Sequence, residues 1–342
     1  MQKIWNIGAI GCGAIAEYHI RSIGELEQAR LVAVSSRREE KAKEVAAREG
    51  CEWTTDYRDL LSRSDIDVVC ITTSSGSHAR IGLEAIRAGK HVIVEKPIAM
   101  TAEEAKAMVR EAESRGTALS VISQTRFEPH VLLAKRAVDE GRLGRLLLIE
   151  AFTPYLRTQA YYDSADWRGT LAEDGGALMN QGIHYIDLLL WMGGRARSVF
   201  GKTATQTHRM EAEDLGLAFV TFEGGHFGSL MSSTSIQPGF AQQLHIYGEQ
   251  GTIKLEGGRI VHWTVPSMEA PADASASQAA AVPGSNPLFF SHENHKRQIA
   301  DALHAIEAGS RMTGASGEDG ARTVELVHAI YESSKTGKEV TL

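Results

Sequence analysis

Apolar positions along the chain follow two different patterns, and the change falls near residue 124. Before it, short apolar runs alternate with amphipathic stretches. Residues 4–10 read as a strand, 14–23 as a helix and 30–35 as a strand. Residues 67–72, 90–95 and 118–123 read as further strands. Between them lie a helix over 81–88 closed by Gly89, and one opened by the capping box Thr101-Ala102-Glu103-Glu104 that ends near Gly116. Repeated strand–helix units of this length predict a parallel, doubly wound α/β sheet over 1–124.

After Gln124 the pattern turns to β hairpins. A linking helix over 128–140 precedes a strand at 146–152. Strands are then expected at 199–206, 215–222, 227–235, 243–247, 251–255 and 259–264, several joined by short glycine turns. Residues 125–342 are therefore expected to form an α+β domain with a large, mostly antiparallel, open-faced sheet. Leu230 and Ile246 are expected on its uncovered face, where they would favour self-association. Residues 266–287, rich in Ala, Ser and Pro, read as a surface loop. Two packing helices follow: one carries Ile299, Leu303 and Ile306 and stops at Gly309, the other carries Val324, Val327 and Tyr331 and stops at Gly337.

Length and composition narrow the classes. At 342 residues, 43% hydrophobic and 23% charged, the chain suits two globular domains and not a disordered protein. A net charge of −7 without a Lys/Arg stripe argues against nucleic acid as a partner. No apolar run approaches the roughly 20 residues of a membrane span. The first strand begins at once, which leaves no room for a removable leader, and a cytoplasmic location is expected. Cys12, Cys51 and Cys70 are read as reduced thiols, two of them in the sheet region.

The first strand runs into Gly11-Cys12-Gly13-Ala14-Ile15-Ala16, a G-x-G-x-x-A turn that opens a helix. Its glycines let backbone approach a pyrophosphate, and the helix N-terminus faces the anion. After the second strand comes Ser35-Ser36-Arg37-Arg38 in place of an acid. Hydroxyls and guanidiniums suit a ribose 2′-phosphate, so NADP is favoured over NAD. Thr73-Ser74-Ser75-Gly76-Ser77-His78 follows the third strong strand and lines the same crevice; His78 is either a cofactor contact or a satisfied loop histidine. The strand over 90–95 runs into Glu95-Lys96-Pro97, where proline halts it and Lys96 projects from a carboxyl end.

Two segments of the second half carry chemistry. Read as one helix, 174–191 puts Asn180, His184, Asp187 and Trp191 on one face, where Asp187 either fixes the His184 tautomer for proton transfer or pairs with a histidine that is simply buried and satisfied. The aromatic planes and guanidiniums of the loop from Tyr155 and Arg157 through Tyr162 to Trp167 and Arg168 suit a polyhydroxylated or anionic ligand and equally suit packing within the loop. No metal site is expected: His292 and His295 are spaced as ligands, but no carboxylate or cysteine nearby completes a set. Nor is there a G-x-S-x-G nucleophile elbow.

Together, Gly11-x-Gly13-x-x-Ala16, Glu95-Lys96-Pro97 and Gly182-Ile183-His184-x-x-Asp187 resemble the Gfo/Idh/MocA oxidoreductases across essentially the whole chain. The resemblance implies an N-terminal Rossmann domain and a C-terminal domain whose sheet face forms homodimers or homotetramers. It implies hydride transfer between NAD(P) and a hydroxyl-bearing carbon of a sugar, cyclitol or derivative. Lys96 would contact the reacting oxygen and His184 would be the acid/base. Asn180 stands where many members carry aspartate, so only a hydrogen-bonding role to substrate is carried over. Tyr155, Arg157, Tyr162, Trp167 and Arg168 complete the expected substrate set. The expected cofactor set is Gly11, Gly13, Ala14, Ile15, Ser36, Arg37, Arg38, Thr73, Ser75, His78, Glu95, Lys96 and Gln124. Other activities known in the family, a non-catalytic dinucleotide- and sugar-binding regulator or a glycosidase that retains its dinucleotide, are the alternatives.

Overall fold

The structure is a computed structural model that describes residues 3–272, 291–310 and 312–342. The chain divides into two compact units, Met1–Gln124 with Ser291–Ala321, and Thr125–Phe290 with Arg322–Leu342.

In the first unit, β1 (Trp5–Ile10), α1 (Ala14–Gly24), β2 (Ala29–Ser35), α2 (Glu39–Glu49), β3 (Glu52–Thr54), α3 (Tyr57–Ser62) and β4 (Val68–Ile71) are followed by α4 (His78–Arg87), β5 (His91–Val94), α5 (Ala102–Arg115) and β6 (Leu119–Val121). With β14 (Ala315–Ser316) the sheet order is β14-β6-β5-β4-β1-β2-β3, and every pairing is parallel except β14 on β6. The order reverses between β1 and β4, which opens a crevice at the carboxyl ends of these strands. All four β4 residues are buried, as are Val92, Ile93 and Val94 of β5, because helices cover both faces of such a sheet.

The helix Glu293–Ala308 (α9) belongs to this unit, although the sequence pattern had assigned all of 125–342 to the second. The reason is its apolar face. Ile299, Ala302 and Leu303 share one core with Trp5, Ile7, Ile23, Val68, Ile93 and Ile122.

The second unit contains α6 (Pro129–Asp139), β7 (Leu146–Pro154), the short helix α7 (Gln159–Tyr162), a π-helix at Ala177–Gly182 and α8 (Ile183–Gly193). Next come β8 (Ala196–Ala204), β9 (Leu215–Phe222), β10 (Phe227–Ser233), β11 (Gln243–Gly248), β12 (Thr252–Glu256), β13 (Arg259–Thr264) and β15 (Val340–Thr341). Their order is β13-β12-β11-β7-β10-β9-β8-β15, antiparallel throughout save for the parallel pair β7–β10. The helix Gly317–Thr336 (α10) has residues in both units.

One face of this sheet is covered, and Leu230 and Ile246 lie on it, buried, contrary to expectation. The open face carries the alternate residues of the same strands. Phe200, Leu217, Phe219 and Phe227 are its exposed apolar side chains, and Phe219 is 72% exposed. Strand alternation groups residues by face but does not reveal which face a helix will cover. The part of the expected 266–287 loop that spans 273–287 lies outside the described residues. Cys12, Cys51 and Cys70 are free thiols, the first and last buried.

Candidate functional site

The glycine loop is built as the sequence pattern predicts. Gly11 has φ +111°, and a Cβ there would lie 2.7 Å from the Thr72 carbonyl oxygen, so only glycine fits. A Cβ on Gly13 would meet open space, leaving its backbone accessible. Gly13 also starts α1 without any side-chain cap, and Ala14 is exposed with Ile15 half-buried beside it. The first-turn amides of α1 are thus left for an anion. Gln124 adds a buried Oε1 with no hydrogen-bond partner among the described residues. These features fit a dinucleotide.

At the end of β2, Gly11 N–H donates to the Ser35 carbonyl at 2.8 Å, which joins the glycine loop to the cofactor-selecting strand end. Ser36 Oγ accepts from Arg38 N–H at 3.2 Å, and Arg37 and Arg38 are exposed. In the next loop Thr73 and Ser75 are half-buried, and Ser77 donates to Thr73 Oγ1 at 2.7 Å.

Around Lys96 the residues divide into one that is accessible and several that are enclosed. Lys96 itself is half-buried at the carboxyl end of β5. Glu95 is buried and does not reach outward as a cofactor contact would. Its Oε1 lies 2.8 Å from His19 Nε2 and 3.7 Å from His295 Nε2, and its Oε2 accepts from Lys96 N–H at 3.2 Å. Burial raises its pKa, but the hydrogen bond with His19 and the nearby His295 ring outweigh this and hold it well below the ordinary carboxylate value. His78 is also enclosed, with Nδ1 2.7 Å from the Pro97 carbonyl and Nε2 3.1 Å from that of Thr73. Burial lowers its pKa, and it is the satisfied histidine of the two readings.

In the second unit, His184 is half-buried in the first turn of α8. The preceding Ala177–Gly182 turn is π, which breaks the single α phase expected from Asn180 to Trp191. The π turn rests directly on distant strands. A Cβ on Gly176 would collide with the Glu213 carboxylate, and one on Gly182 with Ser232 Oγ. Glu213 anchors the turn by accepting Ala177 N–H on its carbonyl and Leu178 N–H on Oε1, both at 2.8 Å. Burial pushes its carboxyl up to about 7. Asn180 Nδ2 donates to Asp174, and Asp174 accepts Gly169 N–H at 2.7 Å.

The aromatic loop is packed as a stack. The Arg168 guanidinium lies 4.2 Å from the Tyr161 ring centre and 4.6 Å from that of Trp167. Arg157 lies 5.4 Å from Tyr161 and 5.3 Å from Tyr155. Tyr155, Arg157 and Tyr162 are buried, and Tyr162 donates its hydroxyl to Thr234 Oγ1 at 2.8 Å. Trp167 is exposed.

Two His/carboxylate groups escaped sequence reasoning, His19–Glu95–His295 and Glu25–His292–Glu293. Only the fold brings their members together, and the histidine spacing in α9 was the only visible signal.

Comparison with known proteins agrees with the fold. Residues 5–123 match the model of an oxidoreductase family with an NAD-binding Rossmann fold, and residues 131–254 match the GFO/IDH/MocA C-terminal domain. The WlbA dehydrogenase of Bordetella pertussis, solved with NADH and UDP-GlcNAcA, is 31% identical with a TM-score of 0.87 over 99% of this chain and 98% of its own. Inositol 2-dehydrogenase 2 of Saccharopolyspora erythraea is 30% identical over 73% of each chain. The NADP-dependent scyllo-inositol 2-dehydrogenase IolW of Bacillus subtilis is 25% identical over 98% of this chain and 96% of its own. Among the described residues no helix is long and apolar enough to cross a membrane.

Proposed function

The chain belongs to the GFO/IDH/MocA oxidoreductases, and from that premise we propose that it transfers hydride between NAD(P) and a hydroxyl-bearing carbon of a sugar, cyclitol or sugar derivative. The observation that carries the proposal lies within one unit. Lys96 stands half-exposed at the carboxyl end of β5, in the sheet whose β1 end forms the open glycine loop.

The nicotinamide, when bound, supplies the hydride acceptor. The residues of the chain manage the proton and the charge. In the oxidation direction His184 takes the hydroxyl proton as general base. The Lys96 ammonium stabilises negative charge developing on the same oxygen. Asn180, held by Asp174, hydrogen-bonds a substrate hydroxyl. The Arg157–Tyr161–Arg168 stack favours a pyranoside carrying an anion or nucleotide, in keeping with the UDP-GlcNAcA bound in the Bordetella relative.

Ser36, Arg37 and Arg38 favour NADP, although relatives using either cofactor exist. The open sheet face with Phe200, Leu217, Phe219 and Phe227 supports a homodimer or homotetramer.

The test is a screen of sugars, cyclitols and nucleotide-linked sugars for reduction of the nicotinamide, followed by the absorbance of the reduced cofactor. Lys96→Ala is expected to abolish turnover. Full activity in that variant overturns the assignment. Tight dinucleotide and sugar binding with no turnover would replace it with a non-catalytic regulator. Net hydrolysis of an aryl glycoside without accumulating reduced cofactor would replace it with a glycosidase.

A further inference from the structure

Three side chains from three separate elements meet in the interior of the first unit. His19 comes from α1, the helix that begins at the glycine loop; Glu95 follows β5; His295 comes from α9. All three are buried, with His19 and His295 at 0% exposure. Both histidines turn Nε2 toward Glu95 Oε1, at 2.8 and 3.7 Å, and their rings lie 5.5 Å apart. The other carboxylate oxygen accepts the Lys96 N–H at 3.2 Å. One residue further, the Pro97 carbonyl is met by His78 Nδ1 at 2.7 Å. The backbone on both sides of Lys96 is therefore fixed by buried histidine contacts, while the Lys96 side chain stays half-exposed.

We infer that His19, Glu95 and His295 form an internal clamp that positions Lys96 and ties its strand end to the helix of the glycine loop. The clamp rests on the reading of Lys96 given above. Its members touch neither substrate nor cofactor; they are positioning residues. A buried carboxylate would be costly to keep without such partners, and the two histidines provide them. A second carboxylate oxygen aimed at the following amide turns that charge into a constraint on the Lys96 backbone. Catalysis is sensitive to this, because displacing a reacting group by about 1 Å costs about 100-fold.

The same three side chains have the composition of a zinc site, but their spacing does not. Ligand atoms about 2.0–2.1 Å from a tetrahedral ion stand about 3.3 Å apart. His19 Nε2 and Glu95 Oε1 are 2.8 Å apart, a hydrogen-bond distance. Facing the cluster are also the Tyr18 ring, 5.7 Å from that of His295, and the buried thiol of Cys70, which senses the Glu95 charge.

The test compares wild type, Glu95→Gln, Glu95→Ala and His295→Asn as full-length proteins. In steady-state assays on a substrate from the screen, Glu95→Ala is expected to lose about 100-fold in kcat with KM for NAD(P) within about threefold. Glu95→Gln keeps the shape and one acceptor, so it recovers part of the loss. His295→Asn, which leaves the His19 contact in place, loses less and serves if Glu95→Ala does not fold. A second readout needs no turnover: acylation of Lys96 by an N-hydroxysuccinimide ester, followed by peptide mass spectrometry. Its rate is expected to rise several-fold in Glu95→Gln as the lysine is released. Wild-type kcat and wild-type labelling in Glu95→Gln overturn the clamp. So does stoichiometric zinc in the purified protein whose removal abolishes activity. If wild type itself turns over nothing in the screen, the function reading fails separately, and the labelling rate alone decides the clamp.

Discussion

Arg126 closes a two-pronged ion pair on Asp187, with Nε 2.8 Å from Oδ2 and Nη2 2.6 Å from Oδ1, and both side chains are buried. Both oxygens of Asp187, one turn past His184, are thus engaged by the Arg126 guanidinium. Asp187→Ala leaves that guanidinium buried without its partner. It should destabilise the protein by about 3–5 kcal/mol in urea unfolding, whereas Asp187→Asn should cost less.

His184 is expected to set the pH dependence of turnover. His184→Asn should lower kcat by about 100- to 10,000-fold while leaving dinucleotide affinity within about threefold. Steady-state kinetics across pH, with cofactor binding followed by fluorescence, checks both halves of the expectation. A variant with the wild-type pH profile would remove His184 from the acid/base role.

Ser36→Asp places a carboxylate at the end of β2, where it accepts from a ribose 2′-hydroxyl and repels a 2′-phosphate. The ratio of kcat/KM for NADP to that for NAD should fall by about tenfold or more, a difference of about 1.4 kcal/mol. An unchanged ratio would mean that Arg37 and Arg38 serve only as solvated surface.

Burial raises the Glu213 carboxyl from an ordinary 4.5 to about 7. The folded state therefore holds this proton more tightly than the unfolded chain. The stability it contributes is fully present below the ordinary carboxylate range and is lost as pH rises through about 7. Glu213→Gln keeps an acceptor for Leu178 N–H and should flatten the fall in stability between about pH 5 and pH 8 by about 1–3 kcal/mol. Part of the slope should remain, because burial also raises Glu128 to about 7. Thermal melts at a series of pH values measure the difference.

Phe219, in the middle of the open sheet face, is the position where a charge should most disturb self-association. Phe219→Glu is expected to shift sedimentation toward the monomer at micromolar concentration without lowering the melting temperature of the monomer. Sedimentation velocity identical to wild type would place any subunit interface elsewhere.

The parts of the fold that were legible in the sequence are those where one short stretch carries the whole signal. β4 and β5 are buried on both faces, so each reads as an unbroken apolar run. Gly11 declares a positive φ, and Thr101 declares a helix start, accepting Glu104 N–H at 3.2 Å. What stayed hidden depends on partners far along the chain. The π turn at Ala177–Gly182 follows from Glu213 and Ser232, which press on Gly176 and Gly182. The inward aim of Glu95 requires His19 and His295, remote in sequence on either side. Which face of the second sheet is covered is not legible along the chain, because exposed Phe200 and Phe219 are as apolar as buried Leu230 and Ile246.

The return of α9 to the first unit bears on how the protein is made. A nascent chain that has just completed β6 holds Trp5, Ile7, Val68 and Ile93 without Ile299, Ala302 and Leu303 to close their core, and β6 without β14 at its edge. Ribosomal synthesis must run through β7 to β13, all of the second sheet but its edge strand β15, before those residues emerge. The nucleotide-binding half, begun first, is therefore sealed only after most of the second unit has been made, and cutting the chain after Gln124 yields an open core in place of a self-sufficient domain.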